Sequence, residues 1–376
     1  MRRALPWVGA VLLTVVAVAA FAGRSHREMI DFEVYRVAGA RAAAAEPLYR
    51  AEDGHWQFKY LPAFALAIAP LAQLPPVAGR GVWFFLSVAL IVLLVNRSCA
   101  LMPDRRRRWA FLVGLTVLAM GKFYVRELGL GQSNVVLAVL VLAAVAAWYR
   151  GREAAAGALL AAATIVKPYA VLFLPYLAAR RKWSGLASYG AVVLGALILP
   201  AARYGWSGNL DQLRGWWTVV SGSTAPNLAG QDNVSIAGMY AAWLGVGTAA
   251  WMLSALTGLA LLVACAWAIW RGSRLASPDY LDAGLLLFAI PLLSPQGWDY
   301  VLLVATPAVM LLLDRIDEFH TAVRVLLFAS LALAGLSLWD VMGREAYRAL
   351  MMSRAITVAA LFQMALVVLL RARRAA

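Results

Sequence analysis

Apolar runs of membrane-crossing length, broken by short arginine clusters, recur from one end of this chain to the other. A helical crossing takes about 20 apolar residues, within a range of about 17–25. The clear runs are Ala4–Ala22, Gly79–Ser98, Ala110–Val125, Ser133–Tyr149, Trp183–Ala202, Gly247–Trp270, Leu281–Ser294, Tyr300–Leu313, Val323–Trp339 and Ala355–Leu370. Of 376 residues 63% are hydrophobic and 14% charged, with a mean hydropathy of +0.74. A soluble domain is about 25% charged, so a water-soluble globule is excluded, and a disordered chain with it. The net charge of +15 does not point to nucleic acid, because the charges sit in clusters between apolar runs rather than on one wet face. Cys99 and Cys265 fall at or inside apolar stretches, which leaves no disulfide framework. The expected fold class is an all-α polytopic membrane protein.

One long segment, Ala154–Ala179, is interrupted by Lys167-Pro168 and reads as two short helices that turn back, for roughly twelve crossings in all. Lys and Arg collect in short cytoplasmic loops. With that hairpin, Arg2-Arg3, Arg105–Arg108, Arg150/Arg152, Arg180-Arg181-Lys182, Arg271/Arg274, Arg315/Arg324 and Arg371/Arg373/Arg374 all come to the inner side. Leu61–Leu74 must then be a helix lying in the outer interface; it has only 14 residues, with Pro62 near its start and Pro70 within it. The expectation is one integral membrane domain, 1–376, in the cell membrane with both termini cytoplasmic. The first 22 residues also have the layout of a signal peptide. Read as a retained span, they tether the loop that follows.

Polar residues concentrate outside. The first outer loop, 23–60, carries His26, Glu28, Asp31, Glu33, Tyr35, Arg36, His55, Lys59 and Tyr60. Glu28–Ala45 has no proline and much alanine, which predicts a helix with Asp31 and Tyr35 on one face at i, i+4. A second loop, Gly121–Asn134, places Lys122, Arg126, Glu127, Gln132 and Asn134 at the mouth of two spans. The third, Arg203–Ser235, has a Trp216-Trp217 pair that reads as an interfacial anchor. The fourth is Ser294–Tyr300.

Lys167 stands apart, at the outer tip of the hairpin and far from every inner basic cluster. A cation among apolar residues faces a cavity or an anion, or snorkels to the headgroups. The residue before Pro168 is pushed out of helical geometry, which frees backbone polar groups that must line something polar. A lipid phosphate satisfies both demands.

Asp31-Phe32-Glu33-Val34-Tyr35, Pro47-Leu48-Tyr49, Tyr60-Leu61-Pro62 and Pro70-Leu71 follow the first span in order. Gly131-Gln132-Ser133-Asn134, Lys167-Pro168, Asn233-Val234-Ser235 and Leu293-Ser294-Pro295 with Trp298 come after them. This ordered set resembles GT-C glycosyltransferase family 87, the polyprenyl-phosphate-mannose-dependent α-mannosyltransferases of bacterial envelopes, over nearly the whole chain. Val234 departs from it, since the family more often has a polar residue there. The resemblance implies a GT-C fold with amphipathic juxtamembrane helices in the first outer loop. It also implies a cavity opening outward, a polyprenyl-phosphate sugar donor, usually mannose, and a glycolipid or glycan acceptor. It makes Asp31 the expected catalytic base.

The chemistry asks for the same parts. Transfer needs a base to take the acceptor hydroxyl proton and a cation for the leaving lipid phosphate. Asp31 is the candidate base and Glu33 the second choice; without the resemblance, Asp31 also reads as a solvated helix-start charge. Lys167 and Arg126 are the candidate phosphate ligands. Glu33, Tyr35, Tyr60, Gln132, Asn134, Asn233, Trp298 and Asp299 are the expected substrate contacts. Apart from Asp31 and Glu33 no outward carboxylates cluster at metal-ligand spacing, and at i, i+2 these two do not face each other on a helix. No metal and no cofactor are expected. Partners are then the donor, the acceptor and the bilayer. The competing class is a transporter or flippase of a lipid phosphate or lipid-linked glycan, which fits the spans and broken helices but has no need of Asp31.

Overall fold

The computed structural model describes residues 16–25, 27, 29–271 and 278–373. The expected span Ala4–Ala22 therefore lies outside the described residues except for 16–22, as do His26, Glu28, Arg274 and Arg374. Among the described residues the fold is all helical, with no strands and one isolated antiparallel bridge between Asn233 and Trp298.

The first half comprises α1 (Ile30–Ala43), α2 (Pro62–Ala72), α3 (Pro76–Leu101), α4 (Trp109–Leu130), α5 (Asn134–Trp148), α6 (Glu153–Val166), α7 (Phe173–Ala179) and α8 (Trp183–Ile198). The second comprises α9 (Ala201–Gly222), α10 (Ile236–Leu244), α11 (Thr248–Arg271), α12 (Asp279–Leu293), α13 (Thr306–Asp314), α14 (Thr321–Gly335), α15 (Arg344–Ser353) and α16 (Ala355–Arg373). Four of these, α3, α4, α11 and α16, are long and apolar enough to cross a membrane. The α8–α9 pair, bent by 87°, makes a fifth if counted as one span.

Two buried clusters organise the packing. The larger joins α4, α5, α12, α13 and α16; α12 is buried on every side, so it is hydrophobic all round. The smaller gathers Phe32, Tyr35, Ala38 and Ala42 of α1 with Phe64, Ala65 and Ile68 of α2 and Trp83 and Phe84 of α3. Their i, i+3, i+6, i+10 spacing along α1 gives it one buried stripe. Pro62 opens α2, where its missing N–H is no loss.

Lys167-Pro168 behaves as expected. Lys167 is extended, a single 3-10 turn follows over Pro168–Leu172, and α7 returns toward the start of α6. Tyr176 of α7 meets Trp148 at the end of α5, with ring centroids 5.8 Å apart. The backbone of α8 at Gly185 presses on Gly157 of α6 so closely that there is no room for a Cβ at 157.

Two expected loops are helices. Lys122, Arg126 and Glu127 lie on α4, which runs on to Leu130 because nothing in 121–130 breaks it. It stops at Gly131, whose φ of +70° suits glycine, and whose carbonyl accepts from Trp83 Nε1 at 2.9 Å. The stretch from Arg203 is likewise taken up by α9. Its glycines and polar residues read as loop, yet Trp206, Leu210, Leu213 and Trp217 fall on one helical face, while Asn209, Gln212 and Val219 are buried. This separates the tryptophan pair: Trp217 is exposed, and Trp216 turns inward to donate to the Lys59 carbonyl at 3.3 Å.

Candidate active site

The smaller and larger clusters meet at a cavity of about 390 Å³. Asp31, Tyr35 and Tyr60 line it from one side, and Gln132, Lys167, Tyr300 and Trp298 from the other. Each of the first three is delivered by local geometry. Met29, in left-handed geometry, donates its N–H to Gly129 O at 3.1 Å and so ties the start of α1 to the end of α4. That puts Asp31, in the first turn of α1, beside Gln132 in the turn that follows Gly131. An acid in a first helical turn is also favoured by the helix dipole.

Gln132 is the hub. Its Nε2 donates to Asp31 Oδ2 at 2.7 Å and to the Tyr300 hydroxyl at 3.1 Å. Its Oε1 accepts from Lys167 Nζ at 3.0 Å and from the Tyr35 hydroxyl at 3.3 Å. Tyr35 and Tyr60 share a further hydroxyl–hydroxyl bond of 2.7 Å. Lys167 is buried, with Nζ 5.8 Å from the Tyr60 ring centre and 6.0 Å from that of Tyr300. Among the described residues neither Asp31 nor Lys167 makes an ion pair.

Burial raises the Asp31 carboxyl above its ordinary value, against the lowering effects of the Gln132 bond and of the Lys167, Lys59 and His55 charges. Burial also lowers Lys59, which lines the same cavity, and raises the Tyr60 hydroxyl. Such a cavity holds a base that is harder to ionise than a surface aspartate, facing a cation that has kept its hydrogen-bonding capacity. It suits proton abstraction from a hydroxyl beside a leaving anion.

The other expected contacts are placed differently. Arg126 reaches the cavity wall, but Asp232 Oδ2 and Asp299 Oδ1, each 3.0 Å away, already pair with it. Asp299 is fully buried behind the wall and also pairs with Lys122 Nζ at 3.3 Å. Glu33 points away from the cavity to Arg36 and Arg80, and its bond from Arg36 lowers its carboxyl. Asn134 donates to Glu127 Oε2 at 2.7 Å, while Glu127 Oε1 accepts the Val135 N–H at 2.8 Å and so caps α5. Asn233 bonds the carbonyls of Leu228 and Pro295 at 3.0 and 2.8 Å, stitching one cavity-lining loop to another. Among the described residues no three His, Cys, Asp or Glu side chains converge to hold a metal.

Sequence reasoning missed Lys59, Asp232 and Gln296 as lining residues, and Arg354 as their support. Arg354 is buried and donates to the carbonyls of Ala229, Gly230, Gln231 and Asn233, which holds Asp232 at the wall. No local signal marks it: the loop it serves is more than a hundred residues away.

No curated protein matches the chain. A family model does, over residues 58–295, a stretch that includes Tyr60, Gln132 and Lys167 and begins after Asp31. Since the match covers more than half of the chain, this protein belongs to glycosyltransferase family 87 and is a membrane glycosyltransferase.

Proposed function

We propose that the protein moves mannose from a polyprenyl-phosphate donor to an acceptor hydroxyl in a single displacement, with Asp31 as base. The observation that carries this reading is the joint placement of Asp31 and Lys167 in one cavity, each bonded to the same Gln132 amide. As the acceptor oxygen bonds to the sugar C1, Asp31 takes its proton. The bond from C1 to the phosphate oxygen breaks, and its electron pair leaves with the polyprenyl phosphate. Lys167 stabilises that leaving anion, in a site where water screens the charge poorly. A carboxyl raised by burial is the better base for a hydroxyl proton. Lys167 is the better phosphate ligand of the two candidates, because Arg126 is engaged by two carboxylates. Tyr35, Tyr60 and Trp298 offer rings and hydroxyls of the kind that hold a sugar.

The topology proposed with it has roughly twelve crossings, the shorter apolar helices completing the set. Loop-one helices lie at the outer membrane surface, both termini are cytoplasmic and the cavity faces the outside of the cell membrane. The acceptor is a glycolipid or glycan presented there.

The test is to purify the protein in detergent, add radiolabelled polyprenyl-phosphate mannose with an envelope-lipid extract, and follow label into a new species. Transfer by the wild type and none by Asp31→Asn is the expected result, and the labelled product identifies the acceptor class. Transfer that survives Asp31→Asn moves the base elsewhere. A folded protein that binds the lipid, transfers none of its sugar and moves it between leaflets in vesicles overturns the donor and the mechanism in favour of a flippase.

A further inference from the structure

The bonding around Gln132 is complete and has one orientation. A primary amide offers two N–H donors and two lone pairs on oxygen, and all four are used: two donors to Asp31 and Tyr300, two acceptors to Lys167 and Tyr35. Lysine only donates, so the amide oxygen must face Lys167 and the NH2 group must face Asp31. The residue is only 4% exposed, although it lines the cavity, so the four bonds hold the amide in place. A neutral group therefore stands between a base and a cation that would otherwise attract each other.

An aspartate and a lysine sharing a poorly screened cavity gain more from direct pairing than they would in water. Elsewhere in this molecule acids and bases do pair directly: Asp299 with Lys122 and Arg126, and Asp282 with Arg180 and Arg371. Asp31 and Lys167 do not. We propose that Gln132 is a positioning residue that holds Asp31 and Lys167 apart, so that the carboxylate stays available to an acceptor hydroxyl and the ammonium to an anionic phosphate ester. The inference rests on the roles given to Asp31 and Lys167 above, and it gives Gln132 a task other than touching substrate. The same amide occupies Asp31 Oδ2 and, among the described residues, leaves Oδ1 open, so it also selects which carboxylate oxygen meets the acceptor.

Gln132→Met tests this, because methionine has the length of glutamine and neither bonds Asp31 strongly nor accepts well from Lys167. The readout is binding of sugar-free radiolabelled polyprenyl phosphate to the full-length protein in nanodiscs, with no turnover needed. In the protein that keeps Asp31, the freed ammonium is captured by the carboxylate, and binding is expected to weaken about tenfold. With Asp31→Asn there is no carboxylate to capture it, and Gln132→Met is expected to weaken binding less than about twofold. Equal weakening in the two backgrounds means a merely structural role and overturns the proposal. Unchanged binding in both overturns it too. Should Gln132→Met fail to fold, Gln132→Asn keeps the amide but is one methylene too short to reach both partners, and the same background dependence is expected of it. Lys167→Met in the same assay checks the reading beneath. If that variant binds the lipid phosphate as the wild type does, the phosphate role of Lys167 is wrong, whatever residue 132 does.

Discussion

Two buried clusters of charge in this molecule are built on opposite principles. At one, Asp282 of α12 takes Arg371 Nε at 2.7 Å and Arg180 Nη2 at 2.5 Å, and both it and Arg371 are fully buried. Three segments distant in sequence, α12, the end of the hairpin and α16, are clamped by direct ion pairs. At the other, the half-buried Asp31 and the buried Lys167 meet only through a neutral amide. Direct pairing uses up the charges on holding helices together; in the proposed mechanism, interposing Gln132 leaves them for a substrate. Burial of a charge therefore does not by itself mark a functional site. What distinguishes the two is whether the charge is already neutralised by a neighbour.

Neutralising one acid in each cluster separates the roles most sharply. Asp31→Asn is expected to lower sugar transfer about 10³-fold or more, the upper range for losing a general base, in a protein that still folds. Asp282→Asn removes the buried carboxylate that faces Arg371 and Arg180 and is expected to lower stability by about 3–5 kcal/mol. Thermal unfolding in detergent reads this loss, while transfer per folded molecule stays at the wild-type level. Were Asp282→Asn to abolish transfer without moving the unfolding midpoint, the distinction would collapse.

A smaller effect follows for the cation. Lys167→Met is expected to reduce kcat/KM for the donor about 10²-fold, as for loss of one stabilising contact to a developing anion. Among the described residues Lys167 makes no direct ion pair, so its removal should shift the unfolding midpoint less than Asp282→Asn does. A midpoint that drops as far as that of Asp282→Asn would show it to be structural.

The pH dependence sharpens the comparison further. Asp31 must be ionised to act, and burial raises it, so transfer should fall on the acid side at a pH above the ordinary aspartate value of 3.8. An acid limb in kcat/KM at or below 3.8 contradicts that. The linkage has a definite sign: the folded protein holds the Asp31 proton more tightly than the unfolded chain does. Its ionisation is therefore destabilising above the folded pKa, and the penalty disappears as pH falls below the unfolded value. Asp31→Asn should accordingly raise the unfolding midpoint at neutral pH by about 1–3 °C, the smallest effect here, with the gain vanishing in acid. A lowered midpoint at neutral pH would place Asp31 among the clamping charges.

Much of this molecule is legible in the order of its residues. Apolar runs broken by arginine clusters require helices in a membrane, because a backbone in hydrocarbon must satisfy its own hydrogen bonds. The turn at Lys167-Pro168 and the helix bearing Asp31 follow from proline geometry and from alanine content, both local properties. Residues 126–130 and 203–222 were read as loop, and are helical, because their polar and glycine content has a local reading too, which tertiary packing overrides. Glu33, Asn134 and Asp299 have the right chemistry for a site, yet their nearest side-chain partners turned out to be Arg36, Glu127 and Arg126. Residue order determined that acids, bases and amides would gather at the ends of the helices. Only the tertiary structure decided which of them pair and which remain free, because an ion pair or a hydrogen bond is settled within about 3–4 Å and its partners, like Asp31 and Gln132, can lie a hundred positions apart.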